Sequence, residues 1–97
     1  MYVVIRTYSG EDAKEVFEVI EQRSEEIREL ISEIPGFVSY TAFKSPDGGT
    51  ALTVCEDKEG TDKSTSIAAA WVLENVHTTP PVPHIEEGVS VAHFYGS

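Results

Sequence analysis

The chain is poor in basic residues, in cysteine and in long apolar runs. Lysine and arginine together number 7 against 17 aspartates and glutamates, a formal charge of -10. So acidic a chain is repelled by phosphate backbones and anionic lipid, so neither nucleic acid nor a membrane surface is expected as a partner. No apolar run approaches the roughly 20 residues of a spanning helix. Met1 leads straight into Tyr2-Val3-Val4-Ile5-Arg6 with no basic region or small-residue cleavage site, so no signal peptide is expected and the cytoplasm is the expected location. The single cysteine, Cys55, allows no internal disulfide and suits a reducing compartment. His77, His84 and His93 have no ligand-like spacing, so no metal is expected. With no histidine placed specifically beside Trp71, no bound cofactor is expected either.

The 97 residues are expected to form one domain, 1–97, around a single core. Tyr2 to Tyr8 is rich in β-branched and aromatic residues and predicts a first strand. Arg6 interrupts it, either snorkelling to water or pointing into a cleft. Ser9 with Asp12 forms a capping-box pattern. Beyond it Ala13, Val16, Phe17, Ile20, Ile27, Leu30, Ile31 and Ile34 predict one amphipathic helix, with a slight bend or polar contact at Ser24 and a stop at Pro35-Gly36. Its other faces are strongly acidic and read as solvated surface.

Phe37–Lys44 and Thr50–Glu56 predict two strands joined by the turn residues Ser45-Pro46-Asp47-Gly48-Gly49. Cys55 within the second of them reads as a small buried residue. Asp57–Ser66 reads as a polar loop, and Ile67–Val76 as a second helix. His77–His84, with three prolines in four positions, predicts a rigid connector able to cover the mouth of a cleft. Val89–Tyr95 predicts the last strand.

The order is therefore βαββαβ, a ferredoxin-like α+β fold: a four-stranded antiparallel sheet with two helices on one face. Val3, Ile5, Leu52, Val54, Val89 and Val91 form the set expected against the helices. The opposite set, Val4, Val38, Tyr40, Ala42, Ala51, Cys55, Ala92 and Phe94, is too apolar to face water at about 25 cal/mol per Å² of forgone burial. A homodimer packed sheet to sheet is expected to cover it.

Particular residues strengthen this reading. A long acidic helix runs into Ile34-Pro35-Gly36-Phe37. A Ser45-Pro46-Asp47-Gly48 hairpin follows, and Val54-Cys55-Glu56-Asp57 precedes a helix. The pattern resembles the dimeric α+β barrel superfamily, within it the antibiotic biosynthesis monooxygenase-like group. The resemblance implies a homodimer with clefts between helices and sheet. Some members are cofactor-independent monooxygenases acting on polycyclic aromatic phenols, others degrade haem, and many have no known activity. Trp71 aligns with a cleft position by element.

The candidate site residues are Trp71, which is either core or the wall of a pocket; Asn75, one helical turn on, either a local cap or a polar handle for a ligand; Tyr40 on the second strand, a further ligand contact; and His93, either a core histidine or a catalytic base. Three functions follow: a dimer binding a small apolar or aromatic molecule in the cleft, a cofactor-independent monooxygenase acting on an aromatic phenol, and a non-catalytic protein-interaction dimer. A void smaller than a few waters would leave only the third.

Overall fold

In the computed structural model, which describes residues 1–96, the chain runs β1 (Tyr2–Ser9), α1 (Glu11–Gln22), α2 (Ser24–Ser32), β2 (Phe37–Ser45), β3 (Gly48–Cys55), α3 (Lys58–Asn75) and β4 (His84–Val89). The strands form one sheet in the order β2-β3-β1-β4, antiparallel at every pairing. This is the ferredoxin-like α+β fold expected from the order of elements.

Several boundaries differ from the sequence expectation. The first helix is two helices, because Arg23 leaves helical geometry (φ -121°, ψ 33°), a far sharper break than a slight bend at Ser24. The Ser9–Asp12 capping box does not form: α1 starts from Gly10 at φ 102° with no side-chain cap. Gly10 N–H instead donates to the Asp47 carbonyl at 2.9 Å, which ties the helix start to the β2–β3 turn.

α3 begins nine residues earlier than Ile67, at Lys58. The supposed polar loop is its first half, capped by Asp57, whose carboxylate accepts from Gly60 N–H at 3.0 Å. Glycine, serine and threonine are poor helix formers, but here tertiary contact outweighs propensity. A Cβ on Gly60 would lie 2.8 Å from Cys55 Cβ, so only glycine lets α3 approach β3 this closely.

The last strand is His84–Val89 rather than Val89–Tyr95. Register explains the choice: Tyr2 pairs with Val89 and Thr7 with His84, so the segment after the prolines fills the β1 edge and the more apolar segment runs past it. Val91, Phe94 and Tyr95 are largely exposed, while His93 and Tyr95 meet edge to face with ring centroids 5.1 Å apart.

The two faces of the sheet are also the reverse of the expectation. Tyr8, Cys55 and, at its margin, Phe37, Tyr40 and Ala42 pack with Val16, Phe17, Ile27, Ile31, Trp71 and Val72 in the helix-side core. Val3 pairs with Val54 and Ile5 with Leu52, so these four alternate onto the other face. The inversion has a physical cause: the helix-side layer contains buried Arg6 and Thr53 on the sheet and Thr61 and Ser64 on α3, which count as polar in a hydrophobic tally yet find partners inside, Arg6 with Thr53 and Ser64, and Thr61 with the Lys58 carbonyl.

No helix among the described residues is long and apolar enough to cross a membrane.

Candidate functional site

Arg6 sits at mid-strand in β1, and alternation turns it toward the helices. Its side chain is only 1% exposed. One guanidinium nitrogen donates to Thr65 Oγ1 at 3.1 Å and to Ser64 Oγ at 3.3 Å. The other donates to Thr53 Oγ1 at 2.9 Å. Its Nε has no partner among the described residues, nor does any carboxylate there form an ion pair with it. Burial pushes the guanidinium below its ordinary value, while neighbouring Tyr40, Tyr8 and Cys55 act in the opposite sense. Arginine remains charged even so. A cation sealed among hydroxyls and phenols without a counter-ion is costly, and such an arrangement attracts an anion.

A narrow cleft between the sheet and the helices ends at this group. Its inner end is walled by Arg6, Tyr8, Tyr40, Ile27, Ala68 and Trp71 and encloses about 20 Å³, room for one water. Two open grooves lie beside it, where α1 and α2 face the edge strand β2. One groove there, about 430 Å³, runs past Ser24, Ile31, Phe37 and Ser39. A second, about 480 Å³, runs past Phe17, Ala42, Phe43 and Lys44. Ile20 and Tyr40 line all three spaces. The enclosed space by Arg6 is too small for the binding readings; the two open grooves beside it, which share Ile20 and Tyr40 with it, have the volume of a small-molecule site. Burial raises the pKa of both phenols, and the Arg6 charge works against that rise, so Tyr8 and Tyr40 remain hydroxyl donors at neutral pH.

A polar latch ties the Trp71 ring of α3 to α2 and to the α1–α2 break. Trp71 Nε1–H donates to Glu26 Oε1 at 2.8 Å. Arg23, at the α1–α2 break, donates through Nε to Glu26 Oε2 at 3.0 Å and through a terminal nitrogen to Asn75 Oδ1. Its guanidinium carbon lies 5.7 Å from the Trp71 ring centroid, within cation–π range. Asn75 Nδ2 donates to the Trp71 carbonyl at 2.8 Å.

Of the four residues singled out from sequence, Trp71 and Tyr40 therefore line the cleft together. Asn75 belongs to the latch and does not line the cleft. His93 lies in the irregular segment beyond β4; its Nε2 is buried without a partner among the described residues, and it too is not among the cleft-lining groups. The residue given least weight in the sequence was Arg6. The signal available was a lone charge in mid-strand with uncharged flanks, which the snorkelling alternative explained equally well. Among the described residues no group of three His, Cys, Asp or Glu side chains is placed to hold a metal ion.

No protein-family model and no curated protein matches the sequence. Solved structures do match in shape. A monooxygenase of Streptomyces coelicolor, crystallised with nanaomycin D, superposes with a TM-score of 0.64 at 18% identity, covering 99% of this chain and 92% of that one. A Bordetella bronchiseptica protein described as an antibiotic biosynthesis monooxygenase gives 0.64 at 14% identity, over 94% and 97% of the two chains. A dimeric ferredoxin-like protein from an uncultured marine organism gives 0.64 at 19% identity, over 98% and 96%. The chain thus shares the ferredoxin-like fold of antibiotic biosynthesis monooxygenase-like proteins. Identities this low carry the fold and not the chemistry.

Proposed function

We propose that this protein binds a small aromatic molecule bearing an anionic oxygen in the cleft between helices and sheet. The observation that carries the reading is Arg6, a buried cation without a counter-ion, at the closed end of a cleft walled by Trp71, Tyr8 and Tyr40. Flat rings gain burial and edge or face contacts against such walls. A phenolate or carboxylate at the inner end would neutralise Arg6 and accept from the two phenols. The nanaomycin D complex of the Streptomyces coelicolor protein supports the reading, in that a protein of the same fold binds a small organic ligand.

Trp71 is the sole tryptophan, so its emission reports on this cleft. Titration with 2-naphthoate is expected to quench it, and Arg6→Met to weaken binding by about ten- to a hundredfold, as for loss of a charge-assisted hydrogen bond. Equal affinity in the two proteins would remove Arg6 from the site.

The binding unit is proposed to be a homodimer. Val3, Ile5 and Leu52 are half-buried on the sheet face away from the helices, around the already buried Val54, and the chain beyond β4 presents Val91 and Phe94, 98% and 87% exposed. A second copy of this chain would cover both. The dimeric ferredoxin-like neighbour supports this arrangement.

Cofactor-independent oxygenation of a phenol is the second reading. A cation beside the phenol oxygen favours the ionised form, which is the electron-rich state. His93 could act as the base only if a second copy brought it to the cleft. Oxygen uptake with an anthrone-type phenol, abolished by Arg6→Met and reduced by His93→Ala, is the expected result. No uptake by the wild type would leave binding alone.

A further inference from the structure

Arg6 and Tyr8 also line a second space, on the other side of α3. The segment Pro80–Pro83 passes over the sheet and leaves beneath it a crevice of about 270 Å³, bounded by Arg6, Tyr8, Thr65, Ala69 and Leu73 and roofed by the prolines and Val82. That is the liquid volume of about nine waters. The roof is held at both ends. Before it, the Glu15 carboxylate accepts from His77 N–H at 3.2 Å, and from the Thr78 N–H and hydroxyl at 3.1 and 2.6 Å. After it, His84 pairs with Thr7 in the sheet. Prolines with fixed φ, anchored at both ends, give a crevice that is formed in advance of any ligand.

The crevice has polar groups at its floor and aliphatic walls. Thr65 Oγ1 accepts from Arg6, which leaves its own O–H free to donate. Tyr8 keeps its phenolic proton. Around these three donors stand Ala69, Leu73, Val82 and prolines, with Leu73 70% and Val82 93% exposed at the rim. Hydroxyls are the only acceptors bonded to Arg6 among the described residues, its Nε has none, and no carboxylate answers its charge; the other walls offer aliphatic contact. We infer that the crevice under the proline strap is a second binding site, for a short-chain aliphatic carboxylate whose carboxylate meets Arg6, Thr65 and Tyr8 and whose chain lies against Leu73 and the strap. The site shares Arg6 with the cleft of the proposed function but does not depend on that cleft holding a ligand.

Two adjacent residues of α3 separate the sites. Ala69 lines the crevice and Ala68 the cleft. Calorimetric titration with hexanoate is expected to show one site in the wild type, lost in Ala69→Phe and retained in Ala68→Phe, with 2-naphthoate showing the reverse pattern. Leu73→Glu, at an exposed helical position that leaves the fold intact, is expected to weaken hexanoate by about tenfold through like-charge repulsion. Hexanol is expected to bind more weakly than hexanoate by a similar factor. Three results would each overturn the assignment: no hexanoate binding to the wild type; loss of hexanoate in Ala68→Phe but not in Ala69→Phe; or hexanol equal to hexanoate. Affinity that falls as protein concentration rises would also overturn it, since a second copy would then be the occupant.

Discussion

Trp71 Nε1 donates to Glu26 Oε1 across 2.8 Å, so the ring that closes the inner end of the cleft is tied directly to the helix that forms its outer wall. With Arg23 completing the latch, the α1–α2 break, α2 and α3 are joined beside the Trp71 ring. The Arg23 and Glu26 side chains are about 40% exposed (43% and 40%), where an ion pair contributes about 0–1 kcal/mol. Arg23→Ala is therefore expected to leave the melting temperature nearly unchanged while making Trp71 more accessible to acrylamide quenching. Unchanged quenching would mean that packing, and not the latch, holds the cleft closed.

The latch has a pH dependence of known sign. The hydrogen bond from Trp71, and then that from Arg23, holds the Glu26 carboxyl below its ordinary 4.5. A folded-state value lower than the unfolded one means the stabilisation is complete above about pH 4.5 and is lost as pH falls through the depressed value. Acidification below that point is expected to shift Trp71 emission toward longer wavelength before global unfolding. Glu26→Gln, which can still accept from the indole but does not titrate, is expected to abolish this early shift. If the shift persists in Glu26→Gln, another carboxylate governs it.

Arg6 is present at a cost to stability. Replacing a buried charged group with an apolar side chain of similar length is often neutral or stabilising by about 1–4 kcal/mol. Against that gain, Thr53 would lose its contact with Arg6, at about 1 kcal/mol for an orphaned hydroxyl. Arg6→Met is thus expected to keep or raise the melting temperature while losing anionic ligands. A drop of several kcal/mol in chemical denaturation would instead identify Arg6 as a structural keystone.

The same residue marks the limit of what the sequence revealed. The α+β class, the hairpin and the helix-on-sheet layering followed from β-branched runs, Pro46-Asp47-Gly48 and the apolar stripe from Ala13 to Ile34, because each is a local signal. The choice of faces did not follow, since it depended on Arg6 reaching the hydroxyls of Thr53 and Ser64 across distances that periodicity does not encode. Lys58–Ser66 was hidden for a related reason: its helicity comes from the Asp57 cap and the close approach of Gly60 to Cys55, not from propensity. The last strand was misplaced because Val89–Tyr95 is the more apolar stretch, yet pairing with β1 falls to His84–Val89. Trp71 could be expected near a cleft from its element alone, whereas the place of Tyr40 beside it depends on the register of β2, which the sequence does not fix. Arg6 became legible as the cleft's chemical end only once its missing counter-ion was visible.

Gly49 is fixed by contact rather than by backbone conformation. A Cβ there would lie 2.5 Å from the Phe17 ring, and that ring packs edge to face with Tyr8 at a centroid distance of 5.7 Å. Gly49→Ala should force the aromatic pair apart and cost about 1–3 kcal/mol as an overpacked core does. Tyr8 also borders the cleft and the crevice, so 2-naphthoate and hexanoate affinities are both expected to fall in this variant. A stability equal to the wild type would show that α1 slides freely against β3.

The sheet face away from the helices sets the last expectation. Val3, Ile5 and Leu52 are half-buried at the centre of that face, around the buried Val54 and paired across β1 and β3. The exposed apolar residues beyond β4 would add to the same interface. An apolar surface of this kind is stabilised by a second copy at about 25 cal/mol per Å², set against the entropy of association. Light scattering is expected to give a dimer for the wild type at micromolar concentration. In Leu52→Glu the carboxylate remains solvated in a monomer but is desolvated in the interface, so the dimer should dissociate with the circular dichroism spectrum retained. A wild-type monomer under these conditions, or a Leu52→Glu dimer as tight as the wild type, would show that the protein leaves this face to solvent.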